Sequence, residues 1–339
     1  MKAINCIIFL LLVTLKSQAQ NVMTSFPYSM FGIGELESGL YGQNAAMGGV
    51  SYGMRNNTLI NIENPAGLTA LESKRLLTEL SIFLKNESYT SGGISKVTWS
   101  NAYLLSQHWS LGMNISYLFG NIVLSEQQSD LIVDRKMHAR SLYANLGVQY
   151  HRTLNHDLSY TLGAVYGYRQ KLDITNAKYI VNGNAHEKKK QRSQKQSLPQ
   201  YFGIGGSLQY KKWMYALDYA FQQYSSLTST DSRIEFKDVN ECRIGVCYFP
   251  NGYSSDSFWK QVAYKTGINV SSLYMAINGN TGFSLRFNAG LSLPVFRGRI
   301  DTSIFYDRMQ LKKGTLNRDV IGATVSFTLG EIFYHSKLK

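Results

Sequence analysis

The sequence predicts an all-β chain, a transmembrane antiparallel β-barrel of about 12–14 strands preceded by an N-terminal plug segment. Three observations predict it. From about residue 76 onward, apolar and polar residues alternate with period two, segment after segment. The chain holds 23 Tyr, 29 Gly and only 5 Pro, and charged residues are 17% of it, well under the roughly 25% of a soluble domain. Beyond residue 20 no run of about 18 apolar residues could form a spanning helix. A chain that crosses with strands shows lipid one face only, and so needs alternation rather than apolar runs.

The first segment reads as a secretory signal. Met1-Lys2 gives a positive start, Cys6 to Leu15 is almost wholly apolar, and Ser17-Gln18-Ala19 offers small residues at a cleavage site. Residues 1–19 are therefore set aside as a signal peptide, with 20–75 as the plug and 76–339 as the barrel.

Residues 21–75 lose the alternation and carry Gly32, Gly34, Gly39, Gly42, Gly48, Gly49, Gly53 and Gly67 among apolar residues such as Phe26, Phe31, Met47 and Val50. The segment is too long for one strand and too apolar for a disordered tail. A compact segment folded back inside the barrel satisfies both observations; a periplasmic extension is the alternative.

The barrel strands follow in order. On Trp109 to Gly120 the residues Trp109, Leu111, Met113, Ile115, Tyr117 and Phe119 share one face, against Ser110, Gly112, Asn114, Ser116 and Gly120. Leu142 to Tyr150, Leu158 to Tyr168 and Phe283 to Leu293 repeat the scheme. The polar face is rich in Gly, Ser and Asn, and the apolar face is bracketed by Trp and Tyr, as membrane interfaces require. Short turns fall at 106–108, 154–157, 211–212 and 297–299; long loops fall near 124–135, 175–198, 226–236, 271–281 and 310–319. That alternation places the short turns and both termini in the periplasm, with about twelve strands and room for two more in 226–282. The five prolines sit before the barrel or at strand ends, where no ladder hydrogen bond is lost.

Formal net charge is +13, or +11 once Lys2 and Lys16 leave with the signal. For a barrel this points to outer-membrane lipid and lipopolysaccharide rather than nucleic acid. The basic run from Lys188 to Lys195 has no aromatic residues for base stacking and reads as a solvated loop. Cys242 and Cys247 fall on opposite faces of a strand, roughly 16 Å apart, so they are expected as separate buried thiols rather than a disulfide.

The six histidines are scattered without metal-ligand spacing, and no Ser, His and Asp arrangement announces a hydrolase. The chain is read as a non-enzyme with no catalytic residue, cofactor or metal. Inward charges are expected at Glu79, Arg169, Lys171, Asp218, Glu241, Arg243, Lys265, Arg286, Asp301 and Asp307. They form either a network of pairs along the inner wall or, at Arg169, Arg243, Arg286 and Lys265, contacts to a ligand carboxylate.

One block adds a resemblance. Ser25 to Leu36, then Ala46-Met47-Gly48-Gly49-Val50-Ser51-Tyr52-Gly53, then Asn61-Ile62-Glu63-Asn64-Pro65-Ala66-Gly67-Leu68, resembles the N-terminal hatch of the FadL/TodX family of outer-membrane hydrophobic-compound transporters, in its divergent Bacteroidetes branch. Asn64, Pro65 and Ala66 stand where that family carries its hatch motif. Tyr264 to Gly267, Ile277 to Gly279 and the strand from Gly290 to Val295 resemble the same branch. The resemblance implies an outer-membrane channel that takes up a hydrophobic or fatty-acid-like small molecule past the hatch and releases it sideways through the wall. Members of the broader family also serve as accessory barrels in protein secretion, so the alternative is a non-transporting barrel, either an accessory component with a secretion-system or surface-protein partner or a structural or adhesive barrel with a sealed lumen. A continuous apolar tunnel past Asn64 would favour transport, and a lumen filled with paired charges would favour the alternative.

Overall fold

The computed structural model describes residues 41–57, 60–71, 75–85, 91–128, 131–182, 185–190, 194–227, 232–250, 258–295, 298–311 and 317–332. The expected signal peptide and the Ser25 to Leu36 part of the resemblance lie outside them.

Two short 3-10 helices, Gly42–Met47 and Pro65–Ala70, come first. Strands β1 (Arg75–Lys85), β2 (Ser91–Leu104), β3 (Trp109–Gln128), β4 (Leu131–Asn155) and β5 (Leu158–Gly167) follow. Then come β6 (Gln170–Asn182), β7 (Ala185–Lys190), β8 (Gln194–Leu198), β9 (Tyr201–Tyr210) and β10 (Trp213–Gln222). The remainder is β11 (Ile234–Phe236), β12 (Val239–Tyr248), the helical turn α1 (Phe258–Gln261), β13 (Ala263–Ser272), β14 (Met275–Ile277), β15 (Gly282–Val295), β16 (Gly298–Leu311) and β17 (Asn317–Ile332).

Twelve of these strands make the wall, in the order β2-β3-β4-β5-β9-β10-β12-β13-β15-β16-β17-β1, each antiparallel to its neighbours. Each has the ten or so residues that a tilted strand needs to cross the hydrocarbon. The two strands that residues 226–282 had room for exist as β11 and β14, but they pair only with one another, off the wall. Among the described residues no ladder joins β1 to β2, which stand at the two ends of the strand order.

The burial pattern inverts that of a soluble protein. Along β3, Ser110, Asn114 and Ser116 are buried while Leu111, Met113, Ile115 and Tyr117 are exposed; β12 and β16 alternate in the same way. With apolar side chains outside and polar ones inside, the exposed belt is the lipid contact and the barrel interior is the polar core. Aromatic side chains gather at the short-turn end: Trp109 lies 5.0 Å from Tyr150, and Trp213 4.6 Å from Tyr248, between ring centroids. Such rings suit the interface, where one end of the side chain is apolar and the other wet.

At the opposite end the structure departs from the expected loops. Strand β3 continues to Gln128 and β4 begins at Leu131, the two paired across 124–128 and 131–135, and β4 also pairs with β6 over Leu131–Arg140. The basic run expected as a loop lies largely in β7 and β8, which also pair with β6. Polar strands that stand above the bilayer have no lipid face to mark them, which is why alternation missed them. Over the mouth of the lumen, Tyr224, Ile234, Phe236, Leu273, Tyr274, Met275 and Met309 close into an apolar cap. Burial there pushes the Tyr224 phenol above its ordinary value.

Candidate functional site: the filled lumen

The site is the contact between residues 42–70 and the inner wall. Within that segment Asn64 organises the local fold. Its side chain accepts from the Ala66 N–H at 3.2 Å, capping the 3-10 helix that Pro65 begins. Its Nδ2 donates to the Tyr52 carbonyl at 2.7 Å and to the Val148 carbonyl of β4 at 3.2 Å. Asn61 adds bonds from Nδ2 to the Ser51 and Met54 carbonyls, at 2.7 and 3.1 Å. Asn64, Pro65 and Ala66 are all buried. Gly48 and Gly49 take φ of 71° and 81°, the left-handed region that glycine adopts without strain.

The segment rests directly on the wall because the wall is thinned there. A Cβ at Gly112 would lie 2.3 Å from the Ala66 nitrogen, at Gly163 1.9 Å from the Tyr52 oxygen, and at Gly267 2.1 Å from the Met47 carbonyl carbon. The inward glycines pair across strands: Gly112 with Gly147, Gly163 with Gly205, Gly245 with Gly267. Gly53 completes the fit by approaching Gly206, where a Cβ would stand 2.6 Å from its Cα.

Buried side chains of the wall satisfy the segment's peptide groups, which have no ladder of their own. Asp218 accepts from the Ser51 and Tyr52 N–H groups at 2.5 and 2.9 Å. Gln149 donates to the Tyr52 and Met54 carbonyls at 3.0 and 3.1 Å, and Asn288 to the Ala45 carbonyl at 2.9 Å. Asn114 donates to the Ile62 carbonyl at 2.6 Å, and Ser207 to the Gly53 carbonyl at 2.7 Å.

Two of the four expected ligand-contacting cations, Arg243 and Lys265, bond this segment, and a third, Arg286, is ion-paired on the wall. Arg243 donates to both oxygens of Glu241, at 2.9 and 2.7 Å, and to the Gly49 carbonyl at 3.0 Å, and lies over the Tyr52 ring. Lys265 donates to Asp301 at 2.9 Å, to Ser292 at 3.1 Å and to the Gln43 carbonyl at 3.0 Å. Arg286 holds Asp307 through Nε and a terminal nitrogen at 3.1 and 2.6 Å. The fourth, Arg169, lies exposed beyond the end of β5 and donates to the Ser226 carbonyl at 2.7 Å. The wall strand stops at Gly167, so the alternation was carried past its end. Cys242 is a correction, being exposed on the lipid face; only Cys247 is buried, and both are free.

A cavity of about 200 Å³ remains above the segment, lined by Ile62, Glu63, Lys96, Asn114, Tyr143 and Tyr201 among others. A smaller one of about 90 Å³ lies by Glu241, Asn269, Arg286 and Asp307. Among the described residues no group of His, Cys, Asp and Glu could hold a metal. Sequence reasoning named Asp218 only as an inward charge and missed Asn61, Asn114, Gln149 and Asn288. The available signal was the set of inward glycines on successive strands, next to inward amides.

This architecture defines an outer-membrane β-barrel whose lumen is occupied by its own N-terminal residues. The family model described as BamG matches residues 1–83 and 77–330, and the chain belongs to that family. No curated protein matches it. Among solved structures it is similar to the CymD monoaromatic hydrocarbon channel, with a TM-score of 0.62 and 13% identity over 86% of this chain and 98% of that one. The Ralstonia pickettii toluene transporter TbuX follows at 0.56 and 13%, over 86% and 98%. A Pseudomonas aeruginosa FadL homologue gives 0.53 and 10%, over 90% and 100%. The FadL/TodX resemblance is thus borne out in the fold, which is that of outer-membrane channels for hydrophobic compounds.

Proposed function

We propose that this chain is a plugged, non-enzymatic outer-membrane barrel that works as a structural or protein-secretion accessory component rather than as a conduit. One observation carries the reading: the side chains that would bind a ligand in an open lumen instead hold residues 42–70 in place. Arg243, Lys265 and Asp218 each bond the backbone of that segment, and the wall glycines Gly112, Gly163 and Gly267 let its backbone lie directly against the strands. Residues 20–75 are, in this reading, a fixed plug. What then remains for function is the outside. His138 and Arg140 are exposed on the outward face of β4, just above the apolar Leu142, a position suited to the anionic headgroups of lipopolysaccharide. The test is reconstitution into liposomes with entry of a monoaromatic hydrocarbon or a fatty acid followed by fluorescence. The reading expects the rate of protein-free liposomes, and saturable entry would contradict it.

A second reading is favoured by the cavity beside the plug and by the hydrocarbon and toluene transport for which the proteins of similar fold are named. A hydrophobic or fatty-acid-like molecule would bind between Ile62, Tyr143 and Tyr201, and residues 64–66 would move to pass it. Its lining mixes apolar Ile62, Leu118 and Leu198 with the polar Glu63, Lys96 and Asn145, so an amphipathic ligand fits it better than a pure hydrocarbon. A fatty acid co-purifying with the barrel and displaced by mutation of Asn64 would establish this reading over the first.

A further inference from the structure

We infer that the rim of the wall at the ends of β4, β5, β9 and β10 binds the phosphate of an anionic phospholipid in the periplasmic leaflet, through Lys211, Lys212 and Arg152. The inference concerns the outer surface and goes beyond both readings above, since it holds for a plugged and for a conducting lumen. Strands β9 and β10 are joined by two residues only, Lys211 and Lys212, between the paired Tyr210 and Trp213. Lys211 takes φ of 53°, a left-handed conformation that glycine or asparagine adopts with less strain and that two-residue hairpins ordinarily assign to them. The hairpin itself does not require lysine there, and an outlier of this kind points to function.

The turn is held by its neighbours. The Lys211 N–H donates to the Asp157 carbonyl of the adjacent turn at 2.7 Å, and the Lys212 carbonyl accepts from the Phe249 N–H at 2.8 Å. Both lysine side chains are exposed. The Lys211 ammonium lies 5.4 Å from the centre of the Tyr210 ring, which keeps it at the height of the interface aromatics. Those rings run along the same rim: Trp213 stacks on Tyr215 with centroids 6.2 Å apart, and Tyr150 lies 6.1 Å from Tyr160. Arg152, also exposed, stands opposite Tyr160 in register, two strands from β9 and so roughly 10 Å across the wall. Among the described residues of these strand ends, 152–158 and 208–213, the exposed Lys, Arg, Asp and Glu side chains are Arg152, Lys211, Lys212 and Asp157. Cations therefore outnumber acids.

The short turns mark this end as the periplasmic side of an outer-membrane barrel. A cation at that height meets lipid phosphates, which ammonium and guanidinium groups bind by charge-assisted hydrogen bonds. The rings between the cations favour lipid over an acidic protein, because such side chains bury an apolar body at the acyl boundary while the charge stays wet.

Native mass spectrometry of the detergent-solubilised barrel, titrated with phosphatidylglycerol and with phosphatidylcholine, tests this. Phosphatidylglycerol is expected to bind more tightly. Lys211→Asn with Lys212→Gln removes both charges and eases the left-handed backbone, so this variant should unfold no earlier than the parent. It should nevertheless bind phosphatidylglycerol roughly 25-fold more weakly, about fivefold per cation, with phosphatidylcholine unchanged. Lys211→Arg with Lys212→Arg should keep the parent's affinity. Arg152→Gln, away from the turn, should lose about fivefold, and Lys237→Gln at the opposite end should lose nothing. Equal affinity for the two lipids, or unchanged phosphatidylglycerol binding in the neutralised variant, would overturn the inference. Displacement of the lipid by inorganic phosphate would overturn it too, by showing a site for free anions. Capture of an acidic periplasmic protein by the parent and not by the neutralised variant, with the two lipids bound equally, would assign the rim to a protein instead.

Discussion

Asp218, on the inner wall of β10, accepts the backbone N–H of Tyr52 at 2.9 Å. The same carboxylate oxygen takes the Ser51 N–H, so one buried side chain fixes the turn at the centre of the plug. Register places Asp218 beside both Gly205 and Arg243, between the thinned wall and the ion-paired wall. Asp218→Ala is expected to lower stability by about 1–3 kcal/mol, the cost of unpaired buried donors. The sharper readout is trypsin cleavage at Arg55, which should be slow in the native barrel and fast in the variant.

Contact between plug and wall predicts a steric contrast between two glycines. A Cβ at Gly163 would stand 1.9 Å from the Tyr52 oxygen, whereas at Gly206 the nearest atom is the flexible end of Leu162 at 3.2 Å. Gly163→Ala should therefore displace the plug and speed cleavage at Arg55, while Gly206→Ala should leave the cleavage rate near that of the parent. Equal behaviour of the two variants would argue against seating on the wall.

Lys265 and Asp301 make a buried pair at 2.9 Å, with side chains about 5% exposed. Lys265→Met leaves Asp301 without its countercharge and should cost about 3–5 kcal/mol. The double change Lys265→Met with Asp301→Leu should recover much of that loss. Thermal or denaturant unfolding of the four proteins closes the cycle, and additive losses would show that the pair is not coupled.

Orientation in the bilayer is tested on a single strand. Ile244 faces lipid and Arg243, its neighbour, faces the lumen. Ile244→Arg should destabilise by about 2–4 kcal/mol if it sits near the midplane. Ile244→Phe should be close to neutral. Unfolding from lipid vesicles measures both.

What could be read from the sequence was set by the membrane. Lipid enforces alternation wherever a strand touches it, so Leu111, Met113 and Ile115 marked the outside, and Ser110, Asn114 and Ser116 the inside, without any structure. The same rule fails where lipid is absent: β6, β7 and β8 were expected as loop, and Arg169 was assigned inward past the end of β5. Pairing across strands is a second blind spot. That Lys265 meets Asp301 depends on β13 and β16 both flanking β15 in a particular register, and no local spacing encodes that. Asn64-Pro65-Ala66 stood out through resemblance; its reason is physical, a cap, a proline at the first helical position and a small residue against Gly112.

The most direct test of the central claim is single-channel recording on the purified barrel in planar bilayers. A fixed plug predicts an electrically silent wild type and discrete conductance steps once Gly163→Ala or Asp218→Ala loosens residues 42–70. Stable open-channel steps from the wild-type protein would contradict the account and restore transport as its function.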